Sequence, residues 1–166
     1  MQVTAKRGLG KKMTLGCKAG DVLLVAAIEK KRLQLSKNTE AKRKSQFGQF
    51  FTPERIAAFM AALFPDGTGH CRLLDAGAGI GSLSAAFLGR WRSGGFHFQH
   101  VEVDAFELDP ALSPHLLNTL EKYNYRGDLI ANIHGEDFIY AAVESLSGNL
   151  FSRDIESYTH AILNPP

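Results

Sequence analysis

Cys71-Arg72-Leu73-Leu74-Asp75-Ala76-Gly77-Ala78-Gly79-Ile80-Gly81 runs from a short apolar stretch into glycines at alternate positions. The first five residues predict a strand, and the rest a loop that enters a helix over 82–91. Glycines there let a ligand approach the backbone and present N–H groups at a helix N-terminus. Downstream the signals alternate: strand over 100–108, helix over 114–123, strand over 129–134, helix over 138–145 and strand over 159–163. Such alternation predicts an α/β fold, a parallel sheet with helices on both faces.

Upstream, residues 46–53 are aromatic and broken by Gly48 and Pro53, with Thr52 as the expected N-cap and Pro53 as the first helical residue. Ile56, Phe59, Met60 and Leu63 then recur at 3–4 spacing, the pattern of a core-facing helix side. Residues 1–20 show no periodicity and are expected to be largely disordered; Asp21 can cap one or two helices over 22–44. Residues 1–45 carry twelve Lys or Arg against three acids, whereas 46–166 carry seven against fourteen. The chain therefore divides into a basic, partly disordered or helical N-terminal arm over 1–45 and an acidic body over 46–166. A basic arm suits a polyanion such as nucleic acid, and equally a solvated helix face.

With 166 residues, 45% hydrophobic and 22% charged, the composition fits one soluble globular domain rather than a fibrous or disordered chain. Two cysteines without a CxxC pair argue against a disulfide framework or a zinc site and for a reducing compartment. The longest apolar run, residues 22–28, is far short of the roughly 20 residues that cross a bilayer. Charged residues 29–32 stand where a signal peptide would be cleaved, so a cytoplasmic location with no membrane contact is expected. No metal is expected either: His97 and His100 fall on opposite faces of a strand.

Ligands of open α/β sheets bind beyond the carboxyl ends of the strands. The first predicted strand ends in Asp75 and the glycine loop. The second ends at Glu107, 26 residues past Gly81, where an acid can accept ribose hydroxyls. The third leads to Asp137, able to accept from an adenine amine, and Phe138, able to pack on its ring. The last ends in Asn164-Pro165-Pro166. The Asn side-chain oxygen and a proline carbonyl together can take both hydrogens of a planar NH₂ group and make its nitrogen more nucleophilic. A dinucleotide-binding loop would want Gly or Ala at position 82, which is Ser82.

Gln46-Phe47-Gly48-Gln49-Phe50-Phe51-Thr52-Pro53, the Asp75–Gly81 loop, Glu107, Asp137-Phe138 and Asn164-Pro165-Pro166, in that order, resemble the gamma class of amino-methyltransferases. These modify the N6 amine of adenine in DNA in restriction–modification systems. The resemblance covers residues 46–166 and implies an α/β, Rossmann-like methyltransferase sheet, incomplete over these residues, with S-adenosylmethionine as cofactor. It implies that Thr52 holds the methionine carboxylate, that Asp75, Ala76, Gly77, Gly79 and Gly81 line the methionyl and ribose portion, and that Glu107 takes the ribose hydroxyls. Asp137 and Phe138 would hold the adenine ring. Asn164, Pro165 and Pro166 would be the catalytic motif, gripping an adenine flipped out of double-stranded DNA.

The family's motif continues with Tyr or Phe where this sequence stops, and the later strands and a target-recognition domain are missing. The strand over 159–163 is expected to be an apolar edge of a 3-2-1-4 sheet. The 166 residues alone are expected to be inactive, and a C-terminal half or a restriction endonuclease is a candidate partner. Two other readings stand beside this one: a methyltransferase acting on a protein glutamine or an RNA base amine, and a non-catalytic cofactor-binding fragment or split half.

Overall fold

The computed structural model describes residues 19–38, 52–147 and 157–164. Its elements are α1 (Ala19–Asn38), α2 (Glu54–Ala62), β1 (Thr68–Ala76), α3 (Ser82–Arg92), β2 (His97–Phe106), α4 (Ser113–Glu121), β3 (Leu129–His134), α5 (Phe138–Leu146) and β4 (His160–Ala161). The four strands are parallel and lie in the order β3-β2-β1-β4. The expected strand order is thus observed, in a four-stranded parallel sheet of the Rossmann-like kind.

Alternation along the strands divides the sheet into two unlike faces. One face carries Cys71, Leu73, Val101, Val103, Ala105 and Leu129. It packs with Leu83, Phe87, Leu88 and Trp91 of α3 and with Leu116 and Leu120 of α4 in one buried cluster. Ile28 of α1 belongs to that cluster, so the described part of the basic arm is built into the body. The other face is mixed, with a polar cluster beside the buried Leu74 and Phe106. Asp104, only 3% exposed, accepts from Arg72 at 3.2 Å, Asn132 at 3.1 Å and His134 Nε2 at 2.9 Å. A carboxylate buried this far is tolerable because three donors from the two adjacent strands surround it.

Several local expectations are corrected. β1 and β2 both begin earlier than the sequence predicts, because Thr68 pairs with His97 and Gly69 with Phe98 before a bulge between Gly69 and His70. β4 is only two residues long, although the Ile162 N–H still bonds to the Leu74 carbonyl at 2.9 Å. α1 starts at Ala19, ahead of the expected cap at Asp21. Pro53, not Thr52, occupies the N-cap of α2, and no side chain caps that end.

Most of the apolar stripe of α2 does not face the core: Ile56, Phe59 and Leu63 are more than half exposed, and of the four only Met60 is packed against it. Ala57 and Ala61 are buried instead. Their small side chains, four residues apart, allow α2 to lie close on α3. Arg90 of α3 then donates to the carbonyls of Ala61 at 2.8 Å and Phe64 at 2.7 Å, satisfying acceptors that a helix end leaves open.

Candidate functional site at the carboxyl ends of the strands

Asp75, in the last turn of β1, has no exposed surface. Its Oδ2 accepts from the Ser84 hydroxyl at 2.6 Å and the Ser84 N–H at 3.2 Å, while Oδ1 is buried without a partner among the described residues. Burial raises its pKa from 3.8 to about 6 against the lowering effect of Ser84, and the Glu107 charge adds to the rise. Ser84 escapes a reading of the sequence. A serine nine residues past Asp75, on the apolar side of α3 and fully buried, is the available signal.

The glycine loop is strained in a way that only glycine tolerates. Gly77, Gly79 and Gly81 have φ of 80°, 59° and 82°. Four of its N–H groups, expected to face a ligand, are spent within the protein. Gly77 and Ala78 donate to the Phe106 carbonyl at 3.0 and 2.9 Å, Gly79 to Glu107 Oε2 at 2.7 Å and Gly81 to the Ala78 carbonyl at 2.8 Å. Ala76 is the last β1 residue, paired with Phe106. A Cβ on Gly77 would meet nothing within 4 Å, so the space above the loop is open at that point.

Glu107, 8% exposed, links the ends of β1 and β2: Oε2 takes the Gly79 N–H and Oε1 the Asp109 N–H, both at 2.7 Å. Burial pushes its pKa up, opposed by those N–H groups and reinforced by the Asp109 charge. Asp109, 2% exposed, is a third buried carboxylate that sequence reasoning does not single out; its Oδ1 accepts from the Ala111 N–H at 3.0 Å. Three buried carboxylates and a loop whose N–H groups are already spent form a poor pyrophosphate site. They suit a ligand that offers hydroxyl donors and positive charge; Asp75 Oδ1, although buried, keeps acceptor capacity among the described residues.

At the end of β3, Asp137 Oδ1 accepts from the Ile139 N–H at 2.7 Å and so caps α5. Phe138 meets Phe106 edge-on at 5.2 Å, and Phe106 stacks on His134 at 4.4 Å. At the end of β4, Asn164 Nδ2 donates to Thr52 Oγ1 at 3.3 Å, joining residues 112 apart in sequence. Thr52 is 6% exposed. Pro165 and Pro166 lie outside the described residues.

β4 reaches this place through its anchors on β1. Thr159 bonds both ways with the Arg72 backbone, accepting from its N–H at 2.8 Å and giving its own N–H to the carbonyl at 3.0 Å. His160 packs among the rings of Phe64, Phe87 and Phe98, with Nδ1 3.5 Å from Cys71 Sγ. Burial lowers the His160 pKa and raises that of Cys71 to about 11, so both stay neutral near pH 7.

A parallel 3-2-1-4 sheet with a glycine loop and an acid at its first two strand ends is a Rossmann-like α/β arrangement, a class of nucleotide- and nucleoside-binding domain. No family model matches the chain. Over 146 residues, 86% of its length, it is 40% identical to the Type II methyltransferase M.BsuBI of Bacillus subtilis. Over 128 residues, 74% of its length, it is 33% identical to the Type II methyltransferase M.PstI of Providencia stuartii. The aligned parts amount to 28% and 24% of those proteins, so the chain spans about a quarter of the length of the curated relatives it matches. Among solved structures, Pyrococcus horikoshii TYW2 in complex with MeSAdo is 26% identical, covering 54% of this chain and 31% of that one, with a TM-score of 0.34. Among the described residues no helix is long and apolar enough to cross a membrane, and no group of three or more His, Cys, Asp or Glu is placed to hold a metal.

Proposed function

We propose that this chain is the S-adenosylmethionine-binding part of a DNA methyltransferase that acts on the exocyclic amine of adenine. The observation that carries the reading is the approach of Asn164, at the end of β4, to Thr52 at the entry of α2. An amide able to grip a planar amine thus stands beside the residue proposed to hold the cofactor's carboxylate. Similarity to two Type II methyltransferases supports the same reaction class.

When bound, S-adenosylmethionine supplies an electrophilic methyl group on a sulfonium sulfur. Asp75 offers its unpartnered Oδ1, and Glu107 accepts from ribose hydroxyls with lone pairs left over from Gly79 and Asp109. Phe138 flanks the adenine ring, and Asp137 has an oxygen to offer its amine beyond the one that caps α5. Asn164 Oδ1 and the Pro165 carbonyl would accept the two hydrogens of the target amine and raise electron density on its nitrogen; methyl transfer would release the cofactor sulfur as a neutral thioether and one amine proton to solvent. Positioning and exclusion of water supply the acceleration. Double-stranded DNA with the adenine flipped out is the proposed substrate. A C-terminal part, on this chain or another, is the proposed source of later strands and target recognition.

The test has two stages. Residues 1–166 are titrated with S-adenosylmethionine by calorimetry, and saturable binding that Glu107→Ala abolishes is expected. The protein is then paired with the C-terminal part of its M.BsuBI relative and given duplex DNA and methyl-labelled cofactor, with the product hydrolysed to nucleosides. Label in N6-methyldeoxyadenosine is expected; label only in protein or RNA would transfer the assignment to another planar amine.

A further inference from the structure

Thr52 and Asn164 share one hydrogen bond whose direction matters more than its length. The Asn164 amide has a donor end and an acceptor end. Here Nδ2 gives a hydrogen to Thr52 Oγ1 at 3.3 Å, which turns Oδ1 away from Thr52. The hydroxyl oxygen is the acceptor in that bond, so its own proton remains available to another partner. Were that proton given to Asn164 instead, the amide would have to turn over. Nδ2 would then face the substrate, and a donor would oppose the amine's own donors.

We propose that Thr52 is a positioning residue that selects which end of the Asn164 amide faces the target amine, and that a carboxylate on the bound cofactor sets this choice. This role rests on the function proposed above and requires a ligand carboxylate beside Thr52. Thr52 donates its proton to that carboxylate, which leaves its oxygen only as an acceptor. That oxygen then takes the hydrogen of Asn164 Nδ2, and Asn164 Oδ1 stands ready for the amine. The carboxylate thereby acts on the reacting end of the site through two hydrogen bonds of fixed polarity. Burial of Thr52 at 6% exposure keeps water from supplying the same proton acceptor. With Pro53 rather than Thr52 at the N-cap of α2, the Thr52 hydroxyl is free for this role.

The experiment is side-chain amide NMR on the ¹⁵N-labelled 166-residue protein, read at Asn164 and, as a report of occupancy, at the Gly77, Gly79 and Gly81 backbone amides. The probes are S-adenosylhomocysteine, which carries the carboxylate, and methylthioadenosine, which lacks it. Both are expected to shift the glycine signals, and only S-adenosylhomocysteine to shift the Asn164 amide. Thr52→Ser is expected to keep that response. Thr52→Val is expected to lose it and to weaken S-adenosylhomocysteine binding roughly tenfold or more, the loss of a bond to a charged group, with methylthioadenosine binding unchanged. Glycine shifts without an Asn164 response, or an equal response to methylthioadenosine or in Thr52→Val, would overturn the proposal and leave the cofactor assignment standing. If S-adenosylhomocysteine leaves the glycine signals unmoved, the cofactor assignment fails and this proposal fails with it.

Discussion

Asp75 is a buried carboxylate held at a cost to stability. Its pKa of about 6, against an ordinary 3.8, means that the folded protein binds the proton more tightly than the unfolded chain does. Stability is therefore greatest below the unfolded value, falls as pH rises from about 4 to about 6, and carries the full penalty above that range. A rise of that size costs about 3 kcal/mol. Asp75→Asn keeps an oxygen for Ser84 and removes the charge. The variant is expected to gain on the order of 1–2 kcal/mol over the parent at pH 8 and nothing near pH 4, read by urea unfolding at both values. Its affinity for S-adenosylmethionine should fall in the same samples, because the end of the side chain that was the unpartnered acceptor becomes an NH₂ donor. A variant no more stable than the parent at pH 8 would show that the buried carboxylate is compensated.

At the scale of the element, the β1–α3 loop holds one glycine packed against the core and one facing open space, the latter proposed to serve the ligand. Gly81 has φ of 82°, and a Cβ there would come within 2.9 Å of the buried Leu116 and 3.2 Å of Thr119. Gly77 has φ of 80° and open space around it. Both substitutions by alanine incur the left-handed strain of about 1–2 kcal/mol, but only Gly81→Ala adds a clash between α3 and α4. Gly81→Ala is expected to lower the melting temperature clearly more than Gly77→Ala. Gly77→Ala should instead lose cofactor affinity out of proportion to its stability. Thermal unfolding and calorimetric titration of the two variants separate these effects, and equal losses in both assays would contradict the division.

Across the whole molecule, positive charge is concentrated in the N-terminal segment. An excess of nine positive charges over residues 1–45 motivates contact with the DNA backbone. Removing all 45 residues would also remove Ile28 from the core, so that deletion would test folding as much as binding. Removing residues 1–18 deletes five Lys or Arg and leaves α1 in place. If those residues lie on the duplex, the slope of log affinity against log salt should become shallower by about 0.9 for each phosphate they neutralise. An unchanged slope would take the segment out of the interface.

Much of this architecture is legible in the chain itself. Apolar runs that end in glycine, acid or Asn-Pro-Pro mark the order of the elements, and with it the placing of Asp75, Glu107 and Asn164 at the ends of strands. Those signals are local: a period, a turn residue and a helix start lie within a few residues of one another. What the sequence could not show was which side of α2 is buried, since Ala57 and Ala61 are buried against the body while the larger stripe of Ile56, Phe59 and Leu63 is exposed. Nor could it show that the glycine-loop N–H groups are spent on Phe106 and Glu107, or that Ser84 holds Asp75. The bond between Thr52 and Asn164 spans 112 residues and exists only because β4 settles against β1 while α2 packs on α3. Local pattern determined what each segment is; the docking of segments distant in sequence decided which atoms meet, because hydrogen-bond partners are assigned by packing and not by spacing.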